Sequence, residues 1–194
     1  MTLRPINRID QALLALEFAI KVMNYIALGK INKDDLDCDT LICLPDGNLR
    51  LGQSTFHTYD DLVHASENLY SQALAASAVA MEAALQGAGI RNDPNDRSER
   101  GQVRSLVYMI RSAFAHDLQV PTWSVRGPYA QQMRVRFGCH DLQVDMTTLD
   151  GQPLVLEHFG GPLVFWDLMH EVRSWIQGPN TTQQPTGAQS GSGG

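Results

Sequence analysis

The stretch VRSLVYMIRSAFAHD, residues 103–117, has the clearest helical period in the chain. On an ideal wheel of about 100° per residue, its apolar side chains fall on one broad arc. These side chains are Val103, Leu106, Val107, Met109, Ile110, Ala113 and Phe114. Because a helix of this kind buries its apolar face against other elements, the pattern predicts a helix from about Asp96 to His116 within a helical bundle.

Three further segments have helical periodicity, at about Arg8–Leu28, Tyr59–Gln86 and Pro162–Ile176. Thr58 is a predicted N-cap for the second of these, since a threonine hydroxyl can accept from a free backbone N–H of the first turn. Gly29 is a typical terminator for the first. With the helix around residues 103–117, the chain is therefore expected to contain four long helices.

Short segments with strand character lie between the predicted helices. One pair flanks the turn-forming run Pro45-Asp46-Gly47, and a second pair follows Pro121, where the apolar period changes to two. A further turn at 149–152 precedes another strand-like run. The predicted strands are Thr40–Leu44, Asn48–Leu51, Met133–Phe137, Leu142–Thr147 and Leu154–Glu157.

The simplest architecture is mainly α: a four-helix bundle with a small antiparallel β insertion between the third and fourth predicted helices. Residues 1–177 are predicted to form this helical domain. Residues 178–194 contain only Gly, Ser, Gln, Thr, Pro, Asn and Ala. Such a segment has almost nothing apolar to bury, so it is predicted to be a disordered tail.

The composition restricts the class of protein. The 194 residues are 43% hydrophobic and carry a formal net charge of −6, so the chain is not a polycation, and any nucleic-acid binding requires a local basic patch. Its three cysteines form no CxxC pair, which argues against a disulfide scaffold and a thiolate zinc site. The sequence shows no signal peptide and no run long enough to span a membrane. We therefore expect a cytoplasmic chain that uses no metal or cofactor.

Four arginines lie on one side of the third predicted helix. Arg97, Arg100, Arg104 and Arg111 fall within about 60° of each other on the wheel, and Tyr108 lies in the same stripe. Such a stripe is most often a solvated helix face. In an acidic chain it is also a candidate track for a phosphate backbone.

Three residues near the end of this helix have the chemistry for phosphoryl transfer. Arg111 can hold a phosphate with a rigid fork of donors, and His116 can transfer protons near neutral pH. Ser112 and His116 share a helix face, whereas Arg111 and His116 diverge by about 140° on a regular helix. The pair could act together if the helix end unwinds or if two copies of the chain combine their residues. The ordinary alternative for His116 is a partner of the helix C-terminus.

The run Arg111-Ser112-Ala113-Phe114-Ala115-His116 resembles the Arg-(four to six residues)-His motif of the HEPN superfamily (higher eukaryotes and prokaryotes nucleotide-binding). That family is a helical bundle with the motif towards the end of its third helix. A polar residue, often Asn or Asp, follows its arginine, and Ser112 occupies this position here.

The resemblance implies a metal-independent endoribonuclease, of the kind found in toxins and antiviral effectors. Such proteins often act as homodimers, and a toxin is usually encoded beside an antitoxin protein. Arg111, Ser112 and His116 would be the catalytic residues, and RNA the substrate. The residues Arg97, Arg100, Arg104 and Tyr108 would bind that RNA. Other members of the family are inactive, so the alternative is a non-catalytic helical module for dimerisation or for RNA or protein binding.

A metal-dependent phosphohydrolase of the HD type is a weaker alternative. His116-Asp117 and His140-Asp141 both contain the His-Asp pair that such enzymes use. Those enzymes need further ligands on neighbouring helices, and the other histidines and aspartates of this chain show no distinctive arrangement.

Overall fold

The computed structural model describes residues 5–52, 54–115, 117–118 and 120–177. Over these residues the chain is mainly helical, with two small antiparallel sheets, as the sequence predicts in outline. The predicted disordered tail, 178–194, lies outside the described residues, as does His116. The helices are α1 (Pro5–Ala27), α2 (Lys33–Leu36), α3 (Tyr59–Gly87), α4 (Glu99–Ala113) and α5 (Pro162–Gln177), and the strands are β1 (Thr40–Leu44), β2 (Gly47–Leu51), β3 (Gln132–Phe137) and β4 (His140–Asp145).

Helices α1 and α3 make the most extensive contact between elements. The alanine-rich half of α3 buries small side chains such as Ala75 and Ala78, which lets the two helix backbones approach closely. The predicted N-cap of α3 is confirmed. Thr58 Oγ1 accepts a hydrogen bond from the Asp61 N–H at 3.2 Å, and the Asp61 carboxylate accepts from the Thr58 N–H at 2.7 Å.

Helix α4 lies at the centre of the fold. It contacts both α3 and β3, and nine of its fifteen residues are buried. Its apolar arc joins a core that includes Trp123, Phe159 and Phe165. Because neighbours cover α4 on more than one side, little of its surface is left for a ligand.

The two hairpins have different surroundings. In the β3–β4 hairpin, which lies between α4 and α5 as predicted, Met133, Val135 and Phe137 face the core while Arg134 faces outward. In the β1–β2 hairpin, by contrast, every residue except Thr40 is exposed. The first hairpin is thus a peripheral element without a core of its own.

The predicted strand at 154–157 is wrong. The turn before it forms, but it leads only to an isolated bridge between Thr122 and Pro153, and a 3₁₀-helix then occupies Leu156–Phe159. Pro153 has no N–H with which to extend a ladder. Leu156 and Phe159 both face the core at a spacing of three residues, which suits the 3₁₀ turn rather than a strand.

No helix in the described part of the chain combines the length and the apolar character needed to cross a membrane.

Candidate functional site

Arg111 is an exposed residue in the last turn of α4. Within the described residues, no hydrogen bond or ion pair occupies its guanidinium. Ser112, next to it, is half-buried. An unpaired arginine keeps all its donors available, so this position can bind an anion such as a phosphate.

The helix ends earlier than predicted. Phe114 is the C-cap of α4, and its N–H donates to the Ile110 carbonyl at 3.4 Å, while the Ala115 N–H makes a tighter bond to the Ser112 carbonyl at 3.1 Å. The predicted helix end at His116 is therefore wrong by three residues. The regular helix stops before position 116, so the 140° angle of an ideal helix does not apply to Arg111 and His116.

The segment after α4 folds back onto the C-terminal end of the helix. Its hydrogen bond to the Ala113 carbonyl replaces the bond that a further helical turn would make, so α4 ends there. The Thr122 N–H donates to the Ala113 carbonyl at 3.2 Å, and the Leu154 N–H donates to the Pro121 carbonyl at 2.7 Å. These two bonds tie both ends of the segment 114–121 to the body of the protein. We call this segment the α4 loop; His116 belongs to it in sequence, and its neighbours Ala115 and Asp117 are exposed.

A cavity of about 320 Å³ adjoins the α4 loop, and Phe114 and Pro121 form part of its wall. The other walls come from α3 and from the segment around the 3₁₀-helix. Three polar side chains, Tyr70, Ser71 and Glu157, also line it. This cavity could not be predicted from local sequence patterns, because its walls come from three separate segments, within 70–74, 114–121 and 154–162.

The expected RNA-binding role of Arg104 is wrong. Its side chain is buried, and its guanidinium makes two hydrogen bonds to the Glu82 carboxylate at 2.6 and 2.8 Å. Its Nε also donates to the Ile90 carbonyl at 3.1 Å. All of Arg104 is thus used inside the protein, because the arginine side of α4 faces α3 at this point rather than solvent.

Tyr108 also has an internal partner. Its ring is half-buried and stacks on Tyr129, with the ring centroids 5.1 Å apart. The Tyr129 hydroxyl accepts from the Asn92 side chain at 2.6 Å, and Asn92 in turn accepts from the buried Ser105 hydroxyl at 3.1 Å. One face of Tyr108 is therefore covered, and the predicted stacking of an RNA base on that face is excluded.

Arg97 and Arg100 are both exposed at the other end of the arginine stripe. The Arg100 guanidinium lies over the Trp175 ring, 4.8 Å from its centroid, at the edge of a polar groove that also contains Arg136 and His140. About 16 Å of helix separates Arg100 from Arg111 at roughly 1.5 Å per residue. Because Arg104 between them is buried, the four arginines do not form a continuous track.

Two of the histidines that a metal-dependent site could use, His140 and His64, have separate partners. His140 Nε2 lies 2.8 Å from an Asp167 carboxylate oxygen, and His64 Nδ1 lies 3.2 Å from Glu67 on the surface of α3. Among the described residues, no group of three or more His, Cys, Asp or Glu side chains is arranged to hold a metal ion.

Comparisons with known proteins do not extend this description: no protein-family model, no curated protein and no solved structure matches the chain.

Proposed function

We propose that the chain is a metal-independent endoribonuclease of the HEPN type, of the kind that toxins and antiviral effectors use. The guanidinium of Arg111, which is exposed and has no hydrogen-bond or ion-pair partner among the described residues, carries this proposal, because Arg111 precedes the loop that contains His116 in the sequence. A surface arginine without an acidic partner can give both arms of its fork to one phosphate.

The reaction uses the RNA's own 2′-hydroxyl. His116, as general base, takes the hydroxyl proton, the 2′ oxygen bonds to the adjacent phosphorus, and the bond from phosphorus to the 5′ oxygen breaks. A protonated His116, from the same or a second copy of the chain, returns a proton to the leaving oxygen. Arg111 stabilises the charge that develops on the non-bridging oxygens, and Ser112 orients His116 or binds one of those oxygens. The products are a 2′,3′-cyclic phosphate and a 5′-hydroxyl.

The basic test uses purified full-length chain and a set of single-stranded RNAs in EDTA. We expect discrete shorter products from the wild type, and slower growth of cells that express it. Equal inertness of the wild type and His116→Ala in both assays would contradict the enzyme proposal.

An apolar groove between α1 and α3 supports the proposal that the chain forms a homodimer. The groove has a volume of about 610 Å³ and is lined mainly by alanines, with Val79 on α3 and Leu118 of the α4 loop. On the neighbouring face of α1, Leu14 and Phe18 are more than 60% exposed. Since Leu118 is in the α4 loop, a two-fold dimer across this groove would include Leu118 of both copies in its interface.

Light scattering tests the dimer. We expect a particle of twice the 21.5 kDa chain mass at micromolar concentration, and a monomer for Ala76→Glu, which places a charge in the groove. Leu163→Glu is the matched control, because Leu163 is 74% exposed and does not line the groove. A wild type that is monomeric throughout this range would contradict the proposed dimer.

Arg97 and Arg100 remain candidates for RNA backbone contacts. We expect Arg100→Ala to weaken binding of single-stranded RNA and to reduce the slope of log K against log salt by about 0.7, the value for one phosphate contact. Arg50→Ala is the control, since Arg50 is on the first hairpin and pairs with Asp39. Equal salt slopes for wild type and Arg100→Ala would remove Arg100 from the interface.

The exposed first hairpin favours a second candidate function, a non-catalytic protein-binding module. Five large apolar side chains on this isolated hairpin are exposed: Leu41, Ile42, Leu44, Leu49 and Leu51. A two-stranded hairpin is marginally stable alone, and exposed apolar patches commonly mark protein contacts. In the ribonuclease proposal, the same surface suits an antitoxin protein.

A further inference from the structure

The cavity beside the α4 loop combines apolar walls with a small set of polar groups. Leu74, Phe114, Leu154 and Leu156 provide apolar surface, and Phe114 also begins the α4 loop. A volume of about 320 Å³ lies within the range of small-molecule sites and exceeds that of a single nucleobase. The cavity can therefore hold one flat heteroaromatic ring against the two ends of the α4 loop, Phe114 and Pro121.

The polar groups of the cavity have no partners inside the protein. Within the described residues, no hydrogen bond is made by the Tyr70 hydroxyl, the Ser71 hydroxyl or the Glu157 carboxylate. Burial raises the pKa of Tyr70, and the nearby charge of Glu157 raises it further. Tyr70 therefore stays protonated at neutral pH and can donate to a ligand.

The polar groups of the cavity match the Watson–Crick edge of guanine better than that of the other nucleobases. The two hydroxyls can donate, and the Glu157 carboxylate offers two acceptor oxygens. Guanine has the O6 acceptor beside two neighbouring donors, N1–H and N2–H, which a carboxylate can bind with both oxygens. Adenine, cytosine and uracil have no pair of adjacent donors on this edge.

We propose that this cavity binds a guanine base of single-stranded RNA and directs cleavage to a phosphate beside that guanosine; the cleavage part rests on the proposed ribonuclease function. Glu157 accepts from N1–H and N2–H, and a hydroxyl of Tyr70 or Ser71 donates to O6. The apolar walls exclude water from the two faces of the base. Phe114 and Pro121, the two ends of the α4 loop, both line the cavity, so a nucleotide bound here contacts that loop.

Binding is measured separately from cleavage with the His116→Ala chain. The probes are the 3′-monophosphates of guanosine, adenosine, cytidine and uridine, together with inosine 3′-monophosphate, which lacks the N2 amino group. We expect guanosine monophosphate to bind at least about tenfold more tightly than the other probes, since one bidentate pair discriminates by roughly that factor or more. Equal binding of guanosine and inosine would overturn the proposed role of Glu157.

Two variants test the polar groups. Glu157→Gln replaces one acceptor oxygen with a donor, and we expect it to weaken guanosine monophosphate binding about tenfold without changing the binding of the adenosine probe. Tyr70→Phe keeps the packed ring and removes only the hydroxyl, and we expect a smaller loss. Glu67→Gln is the matched control, because Glu67 is exposed one turn earlier on α3 and does not line the cavity.

RNA substrates separate this inference from the ribonuclease proposal. Wild-type chain is given single-stranded RNAs that contain one guanosine, one inosine or neither. Selective guanosine binding without any cleavage would refute the ribonuclease but support the base pocket. Cleavage at all sequences with equal rates, together with unselective binding, would overturn the pocket and leave the ribonuclease. A pocket that binds free guanosine monophosphate but gives no preference in RNA would show a free nucleotide site and contradict the proposed RNA specificity.

Discussion

Replacing His116 or Arg111 with alanine should lower the rate of RNA cleavage by about 10²–10⁴-fold each. A positioned general acid or base contributes about 10²–10⁴-fold, and loss of one donor to a developing charge costs about 10²–10³-fold. For Arg111 the structure adds a specific reason: the guanidinium is exposed and makes no internal bond within the described residues, so its removal should leave folding intact. Single-turnover cleavage of a labelled RNA gives the rates, and thermal melting reports the fold.

Arg97→Ala is the matched control for this prediction, because Arg97 is also an exposed arginine but precedes the opposite end of α4. We expect it to reduce RNA affinity and to change the cleavage rate at saturating RNA by less than about threefold. Arg111→Lys should keep only part of the wild-type cleavage activity, since lysine has the positive charge but lacks the paired planar donors of the guanidinium. A rate unchanged in Arg111→Ala would remove this arginine from the mechanism.

Glu82→Ala should strongly destabilise the fold. Glu82 and Arg104 are 5% and 2% exposed, and removal of the carboxylate leaves a buried guanidinium without its counter-charge. Breaking a buried pair in this way costs about 3–5 kcal/mol. For a domain of this size, that corresponds to a fall in melting temperature of about 6–20 °C. Denaturant and thermal unfolding measure both values.

Two further variants separate the contribution of the buried Glu82–Arg104 pair to stability from other effects of the substitution. Glu17→Ala removes an exposed i,i+4 pair with Lys21 and should leave the unfolding midpoint almost unchanged, because solvent screens such a pair. In the double variant Glu82→Met and Arg104→Met, no buried charge remains unpaired, so much of the stability should return. If Glu82→Ala unfolds at the same denaturant concentration as Glu17→Ala, the buried pair does not stabilise the fold as described.

The four long helices could be predicted because their signals are local. Apolar periodicity placed α1, α3 and α5 within about three residues of their observed ends, and Thr58 marked the start of α3 through its own hydroxyl. The first hairpin followed from the turn residues Pro45-Asp46-Gly47, and the second from the period-two pattern after Pro121. The exposed position of Arg111 followed from the helix wheel.

Other features depended on tertiary contacts and could not be predicted in the same way. The helical wheel placed Arg104 on the same side of α4 as the other arginines. It could not show that Glu82 of α3 faces that side of α4 and pairs with Arg104. Glu82 itself, a single carboxylate within an alanine-rich run, was a signal for such a buried pair. The end of α4 at Ala113 depends on the hydrogen bond from Thr122, and the cavity beside the α4 loop has walls from three distant segments.

The most direct test of the central claim is the chemistry of the cleaved ends. Wild-type chain and His116→Ala are incubated in EDTA with two RNAs that differ only in a single 2′-deoxy nucleotide at the mapped cleavage site. Wild type should produce a 2′,3′-cyclic phosphate and a 5′-hydroxyl from the all-ribose RNA and leave the 2′-deoxy site intact, while His116→Ala leaves both intact. Cleavage at the 2′-deoxy position, ends with a 3′-hydroxyl and a 5′-phosphate, or identical inertness of both proteins would contradict the proposed ribonuclease.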